Sequence, residues 1–188
     1  MPRKVGASNR DRYVSRSKVR RREACAIGGR DDMPNRVAEL CLSCSLCCTN
    51  GLFRSVPVRA TEVAGLRARR LPLIKRGDEW LMPFPCAAHN GRCSIYSDRP
   101  SACRDYECDV LVALNSGQTP ESAARSLLDR TNALVASIRT RIAGTGEFWA
   151  DVDRFCKDSA EWRSRHADLL LDLFELHALL RRVDRKNG

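Results

Sequence analysis

Residues 41–48 read Cys-Leu-Ser-Cys-Ser-Leu-Cys-Cys, a CxxCxxCC run, and Cys86, Cys93, Cys103 and Cys108 follow it. Eight thiols within 68 residues are a concentrated set of soft donors. Thiolates hold zinc, copper(I) and iron–sulfur clusters, whereas magnesium and calcium take oxygen ligands. This stretch therefore predicts a small domain held by metal–sulfur bonds.

Asn35 is placed to cap a helix that enters the run, and Asn50-Gly51 to stop it. At 100° per residue, Cys41, Cys44, Cys47 and Cys48 of such a helix share an arc of about 120°, so all four face one side. After the stop, residues 52–58 look strand-like, but Pro57 confines them to an edge or an extended segment. Thr61 starts a short helix, followed by Arg67, Arg69, Arg70, Lys75 and Arg76. With no aromatics interleaved, those charges read as a solvated face rather than a nucleic-acid stripe.

Residues 80–82 and 93–96 are short strand candidates, and Asn90-Gly91 between them signals a tight turn that makes a knuckle of Cys86 and Cys93. Pro100 suits the first position of a helix over residues 101–115 that carries Cys103 and Cys108. Five residues apart is about 140° around a helix. These two thiols therefore serve different metals, or the helix breaks between them. From Thr119 onward the pattern is helical: residues 120–142 with Gly144 as the stop, residues 147–156, and residues 160–185 burying Trp162, Leu169, Leu170, Leu173, Phe174 and Leu180.

The bulk numbers agree with a modest core. A chain of 188 residues suits one domain or a small domain with an appendage. Apolar residues at 43% allow folding, while aromatics at 6% leave few large anchors, a shortfall that thiol–metal bonds would cover. The net charge of +10 is concentrated in residues 1–23, which hold nine Lys/Arg against Asp11 and Glu23. That arm reads as solvated, with nucleic acid or an acidic partner as the less favoured use. The first ten residues lack the apolar core of an export signal, so a reducing, cytoplasmic setting with free thiols is expected. No apolar run approaches the roughly 18–20 residues of a membrane span.

Taken with Pro85-Cys86, Cys93-Ser-Ile-Tyr96, Arg99-Pro100 and Cys103-Arg-Asp-Tyr106-Glu-Cys108, the run resembles the CxxCxxCC family of zinc- or iron-chelating cysteine-cluster proteins. The resemblance covers residues 41–108 and matches all eight of that family's cysteines in order. It implies metal binding firmly and a reaction only weakly, through a related cysteine domain in flagellin lysine N-methylases. Read from the residues alone, Cys25 in the linker and Cys156 on an apolar helix face are not ligands.

The metal is zinc or iron, an iron–sulfur cluster included, with copper(I) behind. Eight thiolates divide into two tetrahedral sets in 35 ways, none selected by the sequence. Ferredoxin-like Cys-x2-Cys-x2-Cys spacing favours iron–sulfur, but Cys48 directly after Cys47 departs from it. A metal-dependent modifying enzyme is a second reading, with Tyr96, Asp98, Arg99, Asp105 and Tyr106 as participants. Each has a plainer role: the tyrosines as core, Asp98 as a helix cap, Arg99 and Asp105 as surface charges. A zinc-stabilised nucleic-acid-binding module is a third. His89 is a ligand substitute or, beside Asn90-Gly91, an exposed turn residue.

The expected architecture is α+β and mostly helical: a basic tail and linker over residues 1–34, a metal-stapled cysteine-cluster domain with few short strands over 35–116, and a helical C-terminal segment over 117–188. The partners expected are a metal ion and a protein or peptide the sequence does not specify; no membrane is expected.

Overall fold

The computed structural model describes residues 33–144, 146–157 and 159–186; the basic arm and Cys25 lie outside them. Helix α1 (Met33–Cys44) starts two residues before Asn35, with Pro34 in the first turn, where its missing N–H costs nothing. It ends at Cys44, short of Cys47 and Cys48. Ser45 and Asn50 take positive φ values of 60° and 69°, so residues 45–50 form a tight non-helical turn. The expected four-cysteine helical face is thus corrected to two thiols on α1 and two on the turn.

That turn is closed by hydrogen bonds from the N–H groups of Thr49, Gly51 and Leu52 to the carbonyls of Ser45 and Leu46. Gly51 permits the closure, because a Cβ there would stand 2.9 Å from Leu46 Cδ2 and 3.2 Å from Leu46 O. Leu46 itself is 1% exposed, which makes the turn part of the core.

The only sheet among the described residues has three antiparallel strands in the order β1-β3-β2: β1 (Ser55–Val58), β2 (Ile74–Arg76) and β3 (Glu79–Pro83). Pro57 sits on edge strand β1 opposite Leu81, as its missing donor requires. Strand β2 was not expected from its basic sequence; Lys75 pairs with Trp80, whose ring receives the Arg67 guanidinium at 4.6 Å and the Lys75 ammonium at 5.7 Å. Helix α2 (Ala60–Ala68) links β1 to β2.

Residues 93–96 form no strand; Cys93 makes an isolated bridge with His89, and Tyr96–Asp98 is a 3-10 turn. The expected helix over 101–115 is two helices, α3 (Ser101–Arg104) and α4 (Asp109–Asn115). Tertiary contacts cause the break. Tyr106 leaves the helical path to pack edge-on against Phe53 at 4.9 Å and to donate its hydroxyl to the buried Asp184 carboxylate.

The C-terminal helices are α5 (Glu121–Ile142), α6 (Phe148–Phe155), α7 (Ala160–Arg165) and α8 (Ala167–Val183). Helix α5 stops at Ala143, which takes the left-handed conformation in place of the expected Gly144. The expected helix over 160–185 breaks at His166, whose ring stacks on Trp162 at 4.5 Å. Along α8, Leu169, Leu176 and Leu180 are buried, but Phe174 is 72% exposed. Leu171 and Phe174 share the opposite flank, so Phe174 is removed from the expected core.

Helices α1 and α4 pack on α5, α4 also packs on α8, and one continuous apolar core runs through them. The fold is therefore mostly helical α+β with one small sheet. Among the described residues no helix is long and apolar enough to cross a membrane.

Candidate metal centre

The eight cysteines come together. Cys41, Cys44, Cys47, Cys48, Cys86, Cys93, Cys103 and Cys108 all line one cavity of about 90 Å³, and none is in a disulfide. Cys156 lies elsewhere, packed against the core.

Separate elements deliver these thiols. Helix α1 presents Cys41 and Cys44 one turn apart, and the following turn presents Cys47 and Cys48. Beyond a cis Phe84–Pro85 bond, the Cys86 N–H donates to Cys48 O at 2.8 Å, fixing the knuckle to the turn. The knuckle is held by His89 N–H to Cys86 O, Ser94 N–H to Ala88 O and the His89–Cys93 bridge, with Gly91 supplying a φ of 73°. Cys103 lies on α3, and Cys108 is the N-cap of α4.

Three polar groups brace this framework that sequence reading did not find. Asn132 on α5 donates to Cys44 O at 2.6 Å, and Arg139 donates to Thr49 O at 2.6 Å. Both satisfy carbonyls that the end of α1 and the turn leave open. Glu62 on α2 accepts from the Ser101 N–H at 2.7 Å, so it caps α3 from 39 residues away. Burial acts to raise its pKa, but the N–H groups of Ser101 and Arg59 outweigh it and hold the carboxyl below its usual range. The capping contribution is therefore complete at neutral pH and is lost as pH falls through the folded value. Glu62→Gln is expected to cost about 1–2 kcal/mol at pH 7 and progressively less as the solution is made acid, read from urea unfolding across a pH series.

Burial dominates the thiol electrostatics. It raises Cys44 and Cys103 to about 12, and it raises Cys47, Cys48, Cys86 and Cys108 as well. Repulsion from neighbouring thiols adds to burial at each of these six. Cys41 is the exposed member; burial raises it too, with Arg99 acting against the rise. Arg99 likewise lowers Cys103. Its guanidinium lies 3.7 Å from the Tyr96 ring centroid, and its buried Nε has no hydrogen-bond partner.

The other candidates are mostly occupied. Asp98 pairs with Arg69 at 2.7 Å and Asp105 with Arg59 at 3.8 Å, both on the surface, and the N-cap of α3 is Pro100 rather than Asp98. Arg99 lines the cavity instead of the open surface. Tyr106 also lines it, with its pKa pushed well up by burial and by Cys47 and Asp184. Tyr106→Phe leaves the Asp184 carboxylate short of a donor; a loss of about 1–3 kcal/mol is expected in denaturant unfolding. His89 is half-buried in the cavity wall, not an exposed turn residue, and its Nε2 is engaged by Ser45 Oγ at 2.8 Å.

Among the described residues, no group of three or more His, Cys, Asp or Glu side chains stands as a ready-made ion site. No family model matches the chain, nor does any curated protein or any solved structure. The likeness of residues 41–108 to the CxxCxxCC proteins accordingly rests on the cysteines themselves.

Proposed function

We propose that this protein binds a transition metal, zinc or iron, through Cys41, Cys44, Cys47, Cys48, Cys86, Cys93, Cys103 and Cys108. The observation that carries the reading is that eight free thiols from five chain segments line a single cavity. Chance burial of small apolar side chains would scatter them, as it does Cys156.

The donor set suits the group. All eight donors are sulfur, and zinc and iron–sulfur clusters both take four cysteine thiolates. Burial makes thiolates costly here, and a cation supplies the compensating charge, since a coordinating thiol is deprotonated outright. Metal uptake would draw sulfurs not yet arranged around an ion into tighter groups, joining α1, the turn, the knuckle, α3 and the start of α4. Coordination energy is then folding energy for segments with little regular hydrogen bonding.

Titrating the reduced, metal-free protein with cobalt(II) tests the reading. A thiolate-to-cobalt charge-transfer band that saturates at a fixed ratio is expected. A titration that leaves the spectrum that of free cobalt would overturn it.

A further inference from the structure

We propose that the eight thiols form two separate four-sulfur sites, one made of Cys41, Cys44, Cys47 and Cys108 and the other of Cys48, Cys86, Cys93 and Cys103. This division rests on the metal-binding reading above and adds to it which sulfurs share an ion.

Chain geometry draws the boundary. Cys47 and Cys48 both lie on the turn after α1, and the Cys86 N–H to Cys48 O bond ties the knuckle to Cys48. On the other side, α4 packs against α1 and brings its N-cap Cys108 toward Cys41 and Cys44. The break between α3 and α4 frees Cys103 and Cys108 to serve different ions, which a continuous helix would have held about 140° apart.

The neighbour relations among the sulfurs sort the same way. Cys48 has Cys86, Cys93 and Cys103 among its strongest charge neighbours; Cys103 has Cys86 and Cys93; Cys86 has Cys93. Every pair within that quartet is accounted for. Cys47 likewise neighbours Cys41, Cys44 and Cys108; Cys44 neighbours Cys41 and Cys108; Cys108 neighbours Cys41. Every pair within the second quartet is accounted for as well. Those charge relations agree with the division that the backbone draws.

The two sites adjoin. Cys41 also neighbours Cys48, Cys93 and Cys103, and Cys47 neighbours Cys48. Cys41, the exposed member, stands at the junction beside Arg99.

The test uses the wild-type full chain, reduced and loaded anaerobically with zinc. A limiting amount of chelator removes part of the zinc, exposed thiols are alkylated with N-ethylmaleimide, and each labelled species is fragmented in a mass spectrometer. Any labels on Cys25 and Cys156, which belong to neither quartet, are counted separately. Molecules with four further labels are expected to carry them all on one quartet or all on the other. Labels mixed between quartets, or confined to Cys41, Cys44, Cys47 and Cys48, would overturn the division while leaving metal binding intact. A chain that takes up no zinc would overturn both. As a second arm, Cys86→Ser and Cys108→Ser should each keep about half the zinc. Cys86→Ser/Cys93→Ser should lose no more than Cys86→Ser alone, and Cys86→Ser/Cys108→Ser should keep none. Equal losses for both double variants would contradict the assignment.

Discussion

Stripping the proposed metal from this protein under reducing conditions is expected to lower its melting temperature by at least about 10 °C. Structural zinc contributes about 10–16 kcal/mol of apparent binding free energy in small domains. A whole domain is stable by only about 5–15 kcal/mol. Even about 5 kcal/mol lost from a chain of this size moves the midpoint by that much, at about 2–4 °C per kcal/mol. The loss should be local in origin. The turn of residues 45–52 and the segment of residues 84–108 contain one 3-10 turn and the four-residue α3, and the cavity is what they share. Helices α5 and α8 pack through buried Leu128, Val135, Ile138, Leu169, Leu176 and Leu180, of which only Leu128 lines the cysteine cavity. Far-ultraviolet circular dichroism on heating, with and without chelator, measures the effect. Restoring the metal should restore the midpoint, and an unchanged midpoint would contradict the role assigned to the cysteines.

The second large effect lies away from the thiols. Phe148→Ala is expected to cost about 3–5 kcal/mol, the range for emptying a buried aromatic position. Phe148 is 0% exposed and packs edge-on against Trp149 at 4.8 Å, with the Arg139 guanidinium 5.3 Å from its ring centroid. Helix α6, which carries it, packs on α5, so the cavity would open inside the helical layer. Urea unfolding should show the loss while the purified variant keeps its full metal content. That combination separates the helical core, which stabilises the frame, from the cysteine cavity, which the frame positions.

Local chemistry made much of this frame legible. Pro57 announced an edge strand, Asn90-Gly91 announced the knuckle, and Thr119-Pro120 announced the start of the long helix α5 within a residue. The eight cysteines that the spacing singled out line one cavity. What stayed hidden depends on partners far along the chain. Helix α1 stops at Cys44, where Asn132 takes up its carbonyl from 88 residues away. The helix over 101–115 breaks because Tyr106 reaches Asp184, 78 residues distant. The cap of α3 is Glu62, which no window around Pro100 contains. Phe174 satisfied helical periodicity yet faces outward, since periodicity identifies a stripe without saying which neighbour covers it.

These failures concern side chains acting at a distance, and they bear on the thiols directly. The same breaks that defeat a single helical cysteine face put Cys47 and Cys48 on a turn and Cys103 and Cys108 on separate elements. A regular helix would have forced the CxxCxxCC run to act as one unit. The two sites proposed above draw on that irregular backbone.

The most direct measurement is the metal content of the protein purified anaerobically, by elemental analysis together with its visible absorption spectrum. The account predicts zinc or iron at one or more atoms per chain, with broad visible absorption if the metal is an iron–sulfur cluster and none if it is zinc. A folded, fully reduced protein that carries neither metal, and whose melting temperature does not respond when either is supplied, would contradict it.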